Sequence, residues 1–180
     1  FKEKLDERKA PGTQVLTPVI DLTKGLETAK KPLVETAVKM GVGKKEAKNA
    51  CQKAVKKQTE CMAEMKKIGN KALEELEKDP DKTAVVIFGR PYNGFVKEAH
   101  MGIPNKLASR GVLVIPFDFL TFEDEKTKRH MYWGMGQIIL KAARVVKRHP
   151  QLFGTYITNF SCGPDSFLVG YFRTLMVPKP

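Results

Sequence analysis

Little in this chain of 180 residues would let it cross a bilayer, build a disulfide framework or close a zinc site. No apolar run approaches the ~20 residues that a membrane-spanning helix needs, and no signal-peptide pattern is present. There are three cysteines, Cys51, Cys61 and Cys162, too few for a disulfide scaffold, and the odd count fits a reducing cytoplasm. No CxxC pair and no HExxH occur, which removes the usual zinc signatures. A P-loop, a zinc finger and an RNP motif are missing as well. The three histidines, His100, His130 and His149, are scattered without a local nucleophile or ligand partner, so none is assigned to catalysis.

Positive charge is plentiful, with a formal net charge of +12. It is spread along the chain: residues 1–80 carry 18 Lys and Arg against 13 Asp and Glu, and residues 81–180 carry 14 against 7. The aromatics do not alternate with the basic residues. Specific nucleic-acid binding is therefore not expected; the charge fits a solvated surface, an acidic partner domain or an anionic ligand. The chain begins at Phe1 and runs out through Val177-Pro178-Lys179-Pro180 with no terminal device, as expected of a piece of a longer polypeptide.

Composition changes near Asp79-Pro80-Asp81, giving an expected arm and helical segment over 1–80 and an α/β domain over 81–180. The first 25 residues are turn-rich and extended, with Pro11 and Pro18 discouraging helix. A short helix is expected over Leu26–Met40 with Pro32 in its first turn, ended by Gly41-Val42-Gly43. Apolar residues at steps of three and four (Ala47, Ala50/Cys51, Ala54/Val55, Cys61/Met62, Met65, Ile68, Ala72/Leu73, Leu76) predict one long amphipathic helix over Lys44–Lys78. Gly69 weakens it. Cys51 and Cys61 stand ten residues apart on this helix, about 15 Å along its axis, too far to share one metal, and are expected to fill core.

Beyond the boundary, Thr83–Phe88 (TAVVIF), Val112–Pro116 (VLVIP) and Gly154–Thr158 (GTYIT) read as strands. Helices are expected over Pro104–Arg110, over Lys126–Arg148, and after Pro164. Right-handed crossovers make the sheet parallel, a small α/β unit of three or four strands with flanking helices. Ligands of open parallel sheets bind beyond the carboxyl ends of the strands. Three unusual loops lead there: Gly89-Arg90-Pro91-Tyr92-Asn93-Gly94-Phe95, Pro116-Phe117-Asp118-Phe119-Leu120, and Asn159-Phe160-Ser161-Cys162-Gly163-Pro164-Asp165-Ser166-Phe167.

Cys162 is the sharpest candidate. Gly163-Pro164 before an apolar run sets it near a helix N-terminus, where unpaired N–H groups and the dipole stabilise a thiolate or an anion. It is open whether it ligates a metal or cluster, acts as a nucleophile, or packs as a small hydrophobe. Arg90 is placed to clamp a phosphate or carboxylate, or else to form a structural salt bridge, with Asp118 as a candidate partner. Asp165 is read as complementing the helix dipole and no more. Met131-Tyr132-Trp133-Gly134-Met135-Gly136 is read as core and close helix packing.

Taken together, GRPYNGF (89–95), MGIPNKLASRG (101–111), PFDFLTFEDE (116–125), MYWGMGQIILKAARVVKRHP (131–150) and ITNFSCGPDSF (157–167) resemble the large activase-related proteins of the 2-hydroxyacyl-CoA dehydratase system, the CoA-substrate-specific enzyme activases. The resemblance covers roughly residues 83–175. It implies a long cytoplasmic protein, mostly of anaerobic metabolism, that joins ATPase modules to dehydratase-subunit-like segments of Rossmann- or flavodoxin-like fold. ATP hydrolysis coupled to low-potential electron transfer through iron–sulfur clusters is the implied chemistry. By position Cys162 becomes the implied cluster ligand, with Arg90, Tyr92, Asp118, Ser161 and Gly163 around the site. The chain lacks the phosphate loops of an ATPase and has one such cysteine where a cubane cluster needs about four ligands. It is therefore expected to be inactive alone, to hold no cluster alone, and to work with other domains of its parent. A CoA-type anion is the expected small ligand. The reading from another class is a scaffold module in which Arg90, Tyr92 and Asp118 dock an anion or a neighbouring domain and Cys162 is structural.

Overall fold

The computed structural model describes residues 14–22, 25–159 and 163–179. The chain divides into two compact units, residues 1–60 and 61–180.

In the first unit a 3₁₀ turn, Leu26–Ala29, leads into helix α1, Lys30–Lys39. This helix ends in a Schellman motif: Val42 N–H reaches Ala37 O at 3.0 Å and Gly41 N–H reaches Val38 O at 3.0 Å. Gly41, at φ 93°, takes the left-handed position that the motif requires. Helix α2 follows, Lys44–Glu77, one residue short of the expected end. Among the described residues of this unit, Ala29, Val34 and Ala47 are the buried apolar ones.

The second unit takes the last turns of α2 and adds β1 (Ala84–Phe88), α3 (Ile103–Ala108), β2 (Leu113–Pro116), α4 (Gly134–Arg148), β3 (Leu152–Tyr156) and α5 (Gly163–Met176). The three strands form a parallel sheet in the order β2-β1-β3. As the central strand, β1 is covered on both faces, which accounts for its unbroken apolar run. At the edge of the sheet β2 leaves Leu113 exposed. The third strand lies two residues earlier than expected, pairing Ala84 with Leu152 through to Phe88 with Tyr156. Gly154, read as the strand's start, lies in its middle. A Cβ there would come within 2.9 Å of Phe172 and 3.3 Å of Phe88, so the glycine admits those two rings. Phe88 is at the centre of the core, stacked on Phe117 at 5.6 Å and tilted against Phe172 at 4.9 Å.

Helix α4 begins at Gly134, eight residues later than expected. The Gln137 side chain accepts from Lys128 N–H at 2.7 Å and donates to Lys128 O and Met131 O at 2.7 and 2.6 Å, holding the preceding segment as a loop. The helix buries Ile139, Leu140, Ala142, Ala143 and Val146 at steps of one, two and three residues, a single apolar face.

The apolar stripe of α2 is only partly used. Leu76 is in the core with Ala72 and Leu73 packed against it, whereas Met62 and Ile68 are 46% and 52% exposed. Strands of four and five residues extend about 15 Å, the length of roughly three helical turns. Cys61 is exposed and Cys51 half-buried, so Cys61 is not core filler. Gly69 has a packing reason: a Cβ there would lie 2.0 Å from Phe119 O, and α2 meets the turn after β2 backbone to backbone.

Candidate functional site

With β1 flanked by β2 on one side and β3 on the other, the chain reverses its direction of winding at β1. The crevice beyond the carboxyl ends of β1 and β3 is therefore the topological switch point, the favoured ligand position of such sheets. The two strands stay joined one step past the ladder, where Ile157 N–H donates to Phe88 O at 2.8 Å. Gly89, at φ 152°, allows this approach, since a Cβ would meet Ile157 O at 2.6 Å.

After Gly89, Arg90 is extended and opens a single helical turn, Pro91–Gly94. Its carbonyl accepts from Asn93 N–H at 2.8 Å and Gly94 N–H at 2.9 Å, which turns the Asn93 side chain inward to 5% exposure. Asp165, in the first turn of α5, is fully buried. Among the described residues three side chains reach its carboxylate. Arg90 Nε lies 3.0 Å from Oδ1, Asn93 Nδ2 donates to Oδ2 at 2.8 Å, and Tyr156 OH donates to Oδ1 at 3.4 Å. A carboxylate removed from water is tolerated only when paired and hydrogen-bonded, and here the loop after β1 and the end of β3 supply both. Asp165 thus does more than complement a dipole: it ties the GRPYNGF loop to the start of α5. Arg90 takes Asp165 as ion-pair partner, not Asp118, and its guanidinium lies over the Tyr92 ring at 4.8 Å. Tyr92 is 49% exposed while the Arg90 side chain is 24% exposed, so the ring faces outward and the guanidinium stands behind it against Asp165.

Asp118 belongs to a second polar centre, in the 3₁₀ turn Phe117–Phe119 after β2. Burial pushes its carboxyl above the usual carboxylate range, and its own backbone N–H and the Lys66 ammonium pull it back only in part. Its Oδ1 is buried without a hydrogen bond among the described residues. Lys66 of α2 donates to Leu120 O, pairs with Glu123 at 3.0 Å and covers the Phe122 ring at 3.9 Å.

Of the residues singled out in the sequence, the structure brings Arg90 and Tyr92 together and sets Asp118 with Lys66. Gly163 is the first residue of α5, exposed and with open space around it. Ser161 and Cys162 lie outside the described residues. Asn93, Tyr156, Asp165 and Lys66 were missed as members of the site; Asn93 and Asp165 stand inside the singled-out loops, but their contact spans 72 residues.

Residues 2–120 match the family model described as the CoA enzyme activase uncharacterised domain. The chain belongs to this family. The matched stretch takes in α1 and α2 as well as β1 and β2. No curated protein and no solved structure matches the chain. Among the described residues of this activase domain, no three His, Cys, Asp or Glu side chains converge to hold a metal, and no helix is long and apolar enough to cross a membrane.

Proposed function

We propose that this activase-family domain is a non-catalytic wall of an iron–sulfur cluster or acyl-CoA site in a larger cytoplasmic protein of ATP-dependent electron transfer to 2-hydroxyacyl-CoA-type chemistry. The observation that supports the reading is the Asp165 tie: it holds the loop after β1 against the first turn of α5 at the switch point. Cys162 immediately precedes that helix in sequence. Cys162 is the one ligand this chain would offer a cluster. The remaining ligands would come from other segments of the parent protein or from a partner, as would the ATPase modules. The role of this chain is then to orient and enclose.

The test is anaerobic reconstitution of the full-length protein with iron and sulfide, comparing Cys162→Ala with Cys61→Ala. Bound iron should fall in the first variant and stay unchanged in the second. Unchanged iron content and electron transfer in Cys162→Ala would remove the ligand role.

A second reading draws on the exposed Tyr92 ring backed by Arg90, a place for docking an anionic ligand or a neighbouring domain, with Cys162 structural. Alkylation separates the two: a Cys162 inert to reagent in the native fold supports packing, and a reactive one supports the ligand role.

A further inference from the structure

Part of the MYWGMG segment does pack as core: Met131 is buried, and a Cβ on Gly136 would strike Met131 Sδ at 2.5 Å and Leu168 at 2.9 Å. Tyr132 and Trp133 do not, at 87% and 43% exposed. Trp133 instead starts a ladder of rings along α5. It meets Phe167 edge-on at 5.2 Å, and Phe167, itself 47% exposed, meets Tyr171 at 4.9 Å. The ladder ends at a cleft of about 180 Å³ between α4 and α5, lined by Lys128, Leu140, Arg144, Lys147, Tyr171 and Thr174 among others.

Three cations meet in this cleft with no acid in its lining. Lys128, Arg144 and Lys147 make no ion pair among the described residues, and Arg144 Nε is buried with no acceptor. The acid whose charge Arg144 shares, Glu125, is already taken by Arg148, whose Nη1 lies 3.0 Å from its Oε2. Attraction to the carboxyl end of α4 explains a lysine at 147. It explains neither Lys128, which comes from the preceding loop, nor a buried guanidinium nitrogen left without a partner. Lys128 is also fixed in place, because Gln137 holds its backbone at both N–H and C=O, and its ammonium stands 5.6 Å from the Tyr171 ring. On α5, Gly170 shares the face of Phe167, Tyr171 and Thr174, and nothing lies within 4 Å of where its Cβ would be. A mid-helix glycine costs about 1 kcal/mol relative to alanine, and here no packing neighbour requires it. It leaves a bare shelf beside the rings.

We propose that this surface binds a nucleotide-type ligand, its planar base against Trp133 and Phe167 and its phosphoryl group in the Lys128–Arg144–Lys147 cleft. Exposed rings give a base the stacking that any π face accepts, and an unpaired Arg with two lysines gives a phosphate charge-assisted hydrogen bonds. The small cleft has room for a terminal phosphate. This site is independent of the cluster reading and stands or falls without it.

Trp133 is the only tryptophan of the chain, so its fluorescence reports on the ladder directly. The experiment titrates the intact 180-residue chain with ADP, adenosine, inorganic phosphate and single-stranded oligoadenylates, exciting only tryptophan. ADP should quench saturably, with adenosine and phosphate each weaker by about tenfold or more. The Lys128→Gln/Lys147→Gln double variant should lose about tenfold or more in ADP affinity with an unchanged thermal melt. Three results overturn the proposal: no saturable change with ADP, an unaltered ADP affinity in the double variant, or oligoadenylate binding tighter than ADP and growing with strand length, which would mark a single-strand surface.

Discussion

The two acids at the carboxyl edge, Asp165 and Asp118, have opposite circumstances. Asp165 is wholly buried and met by an arginine, an asparagine and a tyrosine from two neighbouring segments. Asp118 is half-buried, has one oxygen without a hydrogen bond among the described residues, and is held above its ordinary pKa by burial. The first is a fastening, and its charge is part of what holds the loops together. The second carries a charge at a cost, and its neighbour Lys66 serves the backbone and Glu123 at least as much as it serves Asp118. Burial of a carboxylate thus decides nothing until its partners are counted.

Removing each acid should separate them most sharply. Asp165→Ala removes the carboxylate that Arg90, Asn93 and Tyr156 share and is expected to cost about 3 kcal/mol, the low end for a broken buried pair because Arg90 keeps some access to water; denaturant unfolding measures it. A loss no larger than that of a surface residue would erase the distinction. On the other side, Gly69→Val drives a side chain into Phe119 backbone and should cost about 2 kcal/mol or more by overpacking, since backbone yields less than a flexible side chain. That would show the turn bearing Asp118 to be braced by α2.

Asp118→Asn should do the reverse and leave the protein as stable or more stable at neutral pH. Its carboxyl titrates higher folded than unfolded, so the folded state takes up the proton first as pH falls. The stability this group contributes therefore rises as pH drops through the folded value and is lost as pH rises. The advantage of Asp118→Asn should shrink in acid, which unfolding curves at several pH values would reveal. The smallest effect is expected at the Glu125–Arg148 pair, whose arginine is exposed and whose hydrogen bond holds the Glu125 carboxyl below its usual range. Arg148→Ala should cost under about 1 kcal/mol at neutral pH, and the difference should vanish as pH falls and Glu125 is protonated.

Much of this arrangement is legible in the sequence where the signal is local. TAVVIF and VLVIP are recognisable as strands because a central or half-covered strand needs continuous apolar residues. The parallel order follows from strands alternating with helices. What escapes is whatever depends on a distant partner. Gly154 looks like a strand boundary until Phe172 and Phe88 fill the space above it. Gln137 shortens α4 by bonding backbone nine residues away, and nothing in the helical periodicity of 126–148 marks that competition. Asp165 looks like an ordinary first-turn acid because its partners lie at positions 90, 93 and 156. The CoA enzyme activase family is visible from both directions, through the motif loops and through the match over residues 2–120.

The central claim is that Asp165 and Arg90 fasten the loop after β1 to the start of α5. A double-mutant cycle on Arg90→Met and Asp165→Asn, read by denaturant unfolding of the intact chain, tests it most directly. The fastening predicts a coupling energy of about 1–3 kcal/mol, the range for residues in one ion-pair network. Additive costs, with coupling near zero, would contradict it.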